Sequence, residues 1–160
     1  MTPEAPAAPV APADNLTAML RLVGLFRQTF AGLLAAEGWM AESGAKPATY
    51  GVLRVVAVHG PLSQREVCDA LGAHASDMVE IVDLAERQGW VERSRDPDDR
   101  RRYRLTVTPA GRRVLTRFDA VAAEAEARVL APLAEAERRT LVDLVSKVVE
   151  QVKSLEAQGW

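Results

Sequence analysis

Apolar and polar positions alternate with two different periods along this chain. From Leu16 to Leu34 apolar residues recur every three to four positions (Leu16, Met19, Leu20, Val23, Phe26, Phe30, Leu33 and Leu34), which predicts a long amphipathic helix that Asp14 can cap. The stripe is wider than one small domain usually needs. Gly24 and Gly32 weaken that helix by about 1 kcal/mol each relative to alanine unless another backbone comes close, so both favour a helix packed against a partner. A loop is expected from Gly38 to Ala45, and Pro47 opens a helix whose Tyr50, Leu53, Val56 and Ala57 face inward.

Two short helices come next. The first begins at Ser63 with Glu66 three residues on, the spacing at which each side chain satisfies an orphan backbone donor, and Gly72 stops it. The second turns Met78, Ile81, Val82 and Ala85 inward and Ser76, Asp77, Glu80, Asp83 and Arg87 outward; Gly89 ends it. From Trp90 to Arg95 and from Arg102 to Val107 the period falls to two. Tyr103, Leu105 and Val107 share one face and Arg102, Arg104 and Thr106 the other, as in a half-buried hairpin. Its turn runs from Asp96 to Arg101, with Pro97 fixing φ and Asp96, Asp98 and Asp99 offering local side-chain turns.

Thr108 then suits an N-cap and Pro109 a first helical position. Val114, Leu115, Phe118, Val121, Ala122, Ala125 and Val129 form the seam of a second long helix, which Pro132 interrupts. A last helix carries Leu141, Leu144, Val145, Val148, Val149, Val152 and Leu155 along its full length. These long stripes either pack on one another within one chain or form a bundle shared between subunits. Residues 1–13 place proline at 3, 6, 9 and 12, a composition that favours extended structure and builds no core, so a disordered tail is expected. It has neither a basic nor an apolar segment of a secretory signal.

Composition narrows the function more by distribution than by sum. At 160 residues and 48% hydrophobic content the chain fits one domain with a core, and a net charge of −2 announces no polyanionic partner. Yet arginines stand at 93, 95, 100, 101, 102 and 104 against aspartates at 96, 98 and 99, and Arg112 and Arg113 follow. A basic patch therefore lies on an acidic protein. The single cysteine, Cys68, excludes an internal disulfide and suits a reducing cytoplasm; beside Val67 on a helix that must bury one face, it reads as a structural thiol. No apolar run approaches the roughly 20 residues that cross a bilayer, so no membrane partner is expected. His59, Cys68 and His74 match no common zinc spacing, and no nucleophile or paired-carboxylate motif is present, which argues against an enzyme and calls for no cofactor.

The order of motifs from Leu62 to Gly111 resembles the MarR family of winged helix-turn-helix transcription regulators. The resemblance is carried by Gly60-Pro61-Leu62-Ser63, Leu71-Gly72, Glu86-Arg87-Gln88-Gly89, the wing run Asp96-Pro97-Asp98-Asp99-Arg100-Arg101 and the exit Val107-Thr108-Pro109-Ala110-Gly111. It implies a mainly α fold with a small β-hairpin wing, in which a winged helix-turn-helix over residues 47–108 is joined to dimerisation helices over 14–46 and 109–160. It also implies a cytoplasmic homodimer on double-stranded DNA, usually a repressor, reading an inverted repeat with half-sites about one helical turn apart. Ser76, Asp77, Glu80 and Arg87 of the second short helix and Arg95, Asp99, Arg100, Arg101 and Arg102 of the wing are then the DNA-binding candidates. Arg100 or Arg101 would enter the minor groove, braced by Asp99.

Where relatives commonly carry Thr-x-x-Arg, this chain has Asp77-Met78-Val79-Glu80, with Asp83 one turn on. Carboxylates suit DNA only when paired or when accepting from a cytosine amino group, so Asp77 could read cytosine, Glu80 has no assigned contact, and the wing arginines carry the affinity. His74 stands where a serine cap is common. Many relatives release DNA when a small aromatic or phenolic acid binds; Arg21, Arg27, Trp39, Tyr50 and His59 are the candidate pocket residues by position. The rival reading is a winged-helix interaction protein that has lost DNA binding and offers its acidic helix to a protein partner.

Overall fold

The computed structural model describes residues 12–158 apart from Asp98 and Arg100. The expected tail thus lies, up to residue 11, outside the described residues. The chain divides into two compact units, Met1–Ala125 and Glu126–Trp160. The elements in order are α1 (Pro12–Ala35), α2 (Gly38–Ser43), α3 (Pro47–His59), α4 (Gln64–Leu71), α5 (Ala75–Arg87), β1 (Val91–Arg95), β2 (Tyr103–Val107), α6 (Pro109–Val129) and α7 (Glu135–Ala157).

In the first unit the inward faces of α5 and α6 are those that periodicity marks, while on α3 the buried face is turned to include Val52 and leaves the expected Tyr50 and Ala57 half-buried. Val52, Leu53 and Val56 of α3, Val67 and Cys68 of α4, and Met78, Ile81, Val82 and Ala85 of α5 meet Leu105 and Val107 of β2 and Leu115, Phe118 and Val121 of α6 in one buried cluster. A chain of rings extends it toward α1. Trp39 meets Phe118 edge-on at 4.9 Å, Tyr50 lies 5.7 Å from Phe118, and Phe30 lies 5.4 Å from Tyr50. Hence α1, α2, α3 and α6 share a single aromatic joint.

Backbone groups at the ends of these helices are satisfied as the residue types suggest. The Glu66 amide donates to the Ser63 hydroxyl and the Ser63 amide to the Glu66 carboxylate at 2.7 Å, and Gly72 closes α4 in the left-handed region. Hydrogen bonding from Ser63, with the fields of Arg104 and Arg102 added, holds the Glu66 carboxyl below its ordinary value. Thr108 caps α6, accepting from the Gly111 amide at 3.0 Å and donating to the Gly89 carbonyl at 2.6 Å. Gly111 is required there by close approach: a Cβ would sit 2.0 Å from the Trp90 carbonyl oxygen. His74 precedes α5 without a side-chain cap.

Four expectations are corrected. Residues Gly38–Ser43 are a helix rather than a loop, because one turn and a half suffices to bury Trp39 and Met40 and end on a left-handed Gly44; a segment that short shows no period. The first helix begins at Pro12, ahead of Asp14. Tyr103 shares the face of Leu105 yet is 46% exposed, since it lies at the wing's outer end. Asp83 looks outward as expected, and there Arg93 of β1 holds it. Lastly, Asn15–Ala35 is long and apolar enough, at a mean hydropathy of 1.2, to cross a bilayer by length and composition. Arg21 and Arg27 lie within it, each worth about 2.5–3.5 kcal/mol against insertion at a helix centre, and its Phe30 and Leu34 are buried in the protein core.

The sheet is antiparallel, with Val91 opposite Val107 and Arg95 opposite Tyr103. Leu62 extends it by a single bridge, exchanging both backbone hydrogen bonds with Leu105. The start of α4 is thereby tied to the wing. In the second unit α7 exposes Val142, Leu144, Val145, Val148, Val149 and Val152, and in the first unit α1 exposes Leu16, Met19, Leu20, Leu22, Val23 and Leu25.

Candidate nucleic-acid interface

The outward side of α5 and the hairpin β1–β2 carry the candidate residues. Along α5 the positions Ser76, Glu80, Asp83 and Arg87 recur at four, three and four residues, so they form one stripe opposite the buried Met78, Ile81, Val82 and Ala85. Ser76 donates to Asp77 at 3.4 Å. Glu80 accepts from the Lys46 ammonium at 2.7 Å. That contact, with a smaller field from Arg87, holds the Glu80 carboxyl below its ordinary value. Asp83 and Glu86 both engage the Arg93 guanidinium, Glu86 at 3.2 Å. Glu80, Asp83 and Glu86 are therefore engaged with cations from outside the helix, whereas Asp77 accepts from the neighbouring Ser76.

In the wing, Asp96 is buried at 5% exposure and accepts from Arg104 Nε at 2.7 Å, while Arg104 also donates to the Pro61 carbonyl at 3.2 Å. One guanidinium thus ties the turn, β2 and the approach to α4 together. Asp99 accepts from the Arg101 amide at 3.0 Å and lies 3.4 Å from Arg102 Nε. It therefore sets the backbone of the turn and pairs with Arg102. The Arg101 and Arg102 side chains are exposed, Arg95 stacks 4.4 Å over the Tyr103 ring, and Arg100 lies outside the described residues.

Arg104→Met is expected to destabilise the protein by about 2 kcal/mol. The value falls below the 3–5 kcal/mol of fully buried pairs because the Arg104 side chain is 33% exposed to water. Chemical denaturation measures this; a change within 0.5 kcal/mol would show that Arg104 does not hold the turn.

The pocket candidates separate. Arg27 lines a groove of about 930 Å³ together with Gln28 and Phe30 of α1, Pro47 and Gly51 of α3, and His74 and Asp77 at the start of α5. Trp39 and Tyr50 sit in the aromatic joint instead; Trp39 donates to Glu37, and the Tyr50 hydroxyl donates to Asp119 at 3.0 Å. Arg21 is exposed further along α1, and His59 is exposed at the end of α3. Sequence reasoning missed His74 and Asp77 as groove residues, and it missed Lys46, Arg93 and the Asp96–Arg104 pair. Hairpin register could have found the last of these. Arg95 opposite Tyr103 places Asp96 opposite Arg102, and Arg104 is then its diagonal neighbour.

A helix presenting its outward stripe beside a two-stranded, arginine-bearing wing defines a winged helix-turn-helix, the architecture of DNA-binding transcription regulators. A family model described as MarR family matches residues 43–102. A protein of Thauera aromatica, named as a transcriptional regulatory protein for the hcr operon, is 33% identical over 129 residues, covering 81% of this chain and 74% of that one. The solved structure of the PcaV transcriptional regulator from Streptomyces coelicolor, in complex with its natural ligand, is 29% identical with a TM-score of 0.66, covering 89% of this chain and 97% of the other. Mycobacterium tuberculosis MarR family protein Rv2887, complexed with p-aminosalicylic acid, shares the fold at 23% identity and a TM-score of 0.68, covering 86% and 98%. The chain belongs to the MarR family of transcriptional regulators and is not an enzyme.

Proposed function

We infer that this regulator is a cytoplasmic homodimeric repressor that binds an inverted-repeat operator and releases it when a small aromatic acid binds. The observation that carries the DNA reading is the combination of an outward α5 stripe with exposed Arg101 and Arg102 on the adjoining wing. A helix fits the major groove, about 12 Å wide, and a hairpin can set arginine in the adjacent minor groove. The exposed apolar residues of α1 and of α7 support a dimer, since a second copy would remove both stripes from water. Docking of an acidic helix on a protein partner is less well supported, because Glu80 and Asp83 already hold cations.

The groove beside Arg27 suits an aromatic acid: the guanidinium would take the carboxylate, and Phe30 supplies an apolar wall. Asp77 stands in the same groove on the first turn of α5, so an anion there bears on the helix that would read DNA. Release requires that the acid bind the free form more tightly than the DNA-bound form.

The test is binding of the purified protein to fragments of its source genome across salt concentrations, with and without salicylate as the probe. Enrichment of an inverted repeat, a steep fall of affinity with salt and release by salicylate are expected. Salt-independent binding with no enriched repeat would overturn the DNA reading; enrichment without release would overturn the effector alone.

A further inference from the structure

We propose that Lys46, anchored by Glu80 on the outward stripe of α5, is a DNA phosphate contact, and that Glu80, Asp83 and Glu86 serve as anchors for cations rather than as base readers. The proposal rests on the DNA-binding reading above. It explains how a helix with Glu80 where relatives commonly have arginine can still face a polyanion.

The geometry begins with the segment between α2 and α3. Lys46 has an extended backbone at φ −107° and ψ 156°, as expected before Pro47, and its amide donates to the Thr49 hydroxyl at 3.2 Å. Thr49 is fully buried, so the base of the lysine is fixed. Two contacts then lay this segment along α5: Gln88 Nε2 donates to the Ser43 carbonyl at 3.0 Å, and Lys46 Nζ donates to Glu80 at 2.7 Å. Glu86 and Gln88, two positions apart on a helical path, point to opposite flanks, and Glu86 engages Arg93. The helix is thus bordered by Lys46 on one flank and Arg93 on the other.

Only one of these cations is well placed for DNA. The Arg93 side chain is 28% exposed and engages two carboxylates, whereas Lys46 is 53% exposed beside a 71% exposed Glu80. An ammonium is a compact charge with three donors, so Lys46 can keep one on Glu80 and turn the others to a phosphate oxygen. Phosphates wall the major groove, and a cation at the margin of the recognition helix is where a backbone contact would fix its register. Glu80 is then a positioning residue.

The test uses the full chain and compares wild type, Lys46→Arg, Glu80→Gln and the double variant Lys46→Met with Glu80→Gln on two unrelated duplexes of about 30 base pairs. The double variant keeps the net charge of the pair at zero, so a pair that merely neutralises the helix face would leave binding unchanged. A phosphate contact predicts that it loses about eightfold in affinity per protomer at 0.1 M salt on both duplexes, and that the log-log salt slope flattens by about 0.9 per protomer. Lys46→Arg should retain the slope. Glu80→Gln should not tighten binding, although it removes a negative charge from the face, because Lys46 loses its anchor. Both side chains are exposed, so melting temperatures should not move beyond the effect of a surface pair.

Three results would overturn the proposal while leaving the DNA reading intact: an unchanged slope in the double variant, a loss confined to one duplex, or tighter binding by Glu80→Gln. A wild-type protein that binds neither duplex nor any fragment of its source genome would overturn both.

Discussion

Replacing Phe118 by alanine is expected to lower the unfolding free energy by about 3–5 kcal/mol, the range for deleting a large ring from a closed core. Phe118 has no exposed surface and is the ring that Trp39 and Tyr50 share. Its removal forfeits the transfer free energy of the side chain, the two ring contacts at about 0.5–1.5 kcal/mol each, and leaves a cavity. Neither neighbour can easily collapse into the gap, because the Trp39 indole N–H is held by Glu37 and the Tyr50 hydroxyl by Asp119. Phe118→Leu should cost less than half as much. Calorimetry and denaturant titration of the two variants measure the difference. A loss below about 1 kcal/mol for the alanine variant would mean that α6 is not joined to α2 and α3 through this ring.

The largest effect on binding is expected at the wing tip. Arg100 and Arg101 replaced together by alanine should reduce affinity for duplex DNA on the order of a thousandfold at 0.1 M salt, and flatten the salt slope by about 1.8 per protomer. The expectation follows from counterion release, which scales with the number of phosphates neutralised, and from the two copies of the wing that the proposed dimer would present. Arg102→Ala should have a smaller effect, since its guanidinium lies near Asp99 and part of its charge is already balanced. The Asp99 carboxylate accepts from the Arg101 amide, so Asp99→Ala should disturb presentation of Arg101 without changing the count of cations. Titrations at several salt concentrations separate these cases: a lost contact changes the slope, whereas a misplaced one weakens affinity chiefly through the intercept. Retention of wild-type slope by the double variant would remove the wing from the interface.

Much of this architecture was legible from local rules. The inward faces of α5 and α6 follow from apolar periodicity, the start of α4 from Ser63 and Glu66, and its end from Gly72, because each of these signals acts within a few residues. The hairpin was legible for the same reason. Its period of two and its proline and aspartate turn are neighbours in sequence. The candidate DNA face was legible only as a set of charges. Asp77, Glu80 and Asp83 looked like a liability beside a polyanion, because the cations that engage Glu80 and Asp83 stand elsewhere: Lys46 lies 34 residues before Glu80, and Arg93 ten after Asp83.

The boundary between what the chain's own order of residues dictates and what folding decides falls at that range. Amphipathic period, capping and turn chemistry determine which helices and strands form, since they depend on groups already adjacent along the backbone. Which charges meet does not follow from them. The pairing of Asp96 with Arg104, the gathering of Arg27 with His74 and Asp77, and the seating of Lys46 on Glu80 exist only once separate elements are packed, because a side chain cannot select among distant partners until the core has fixed their distances.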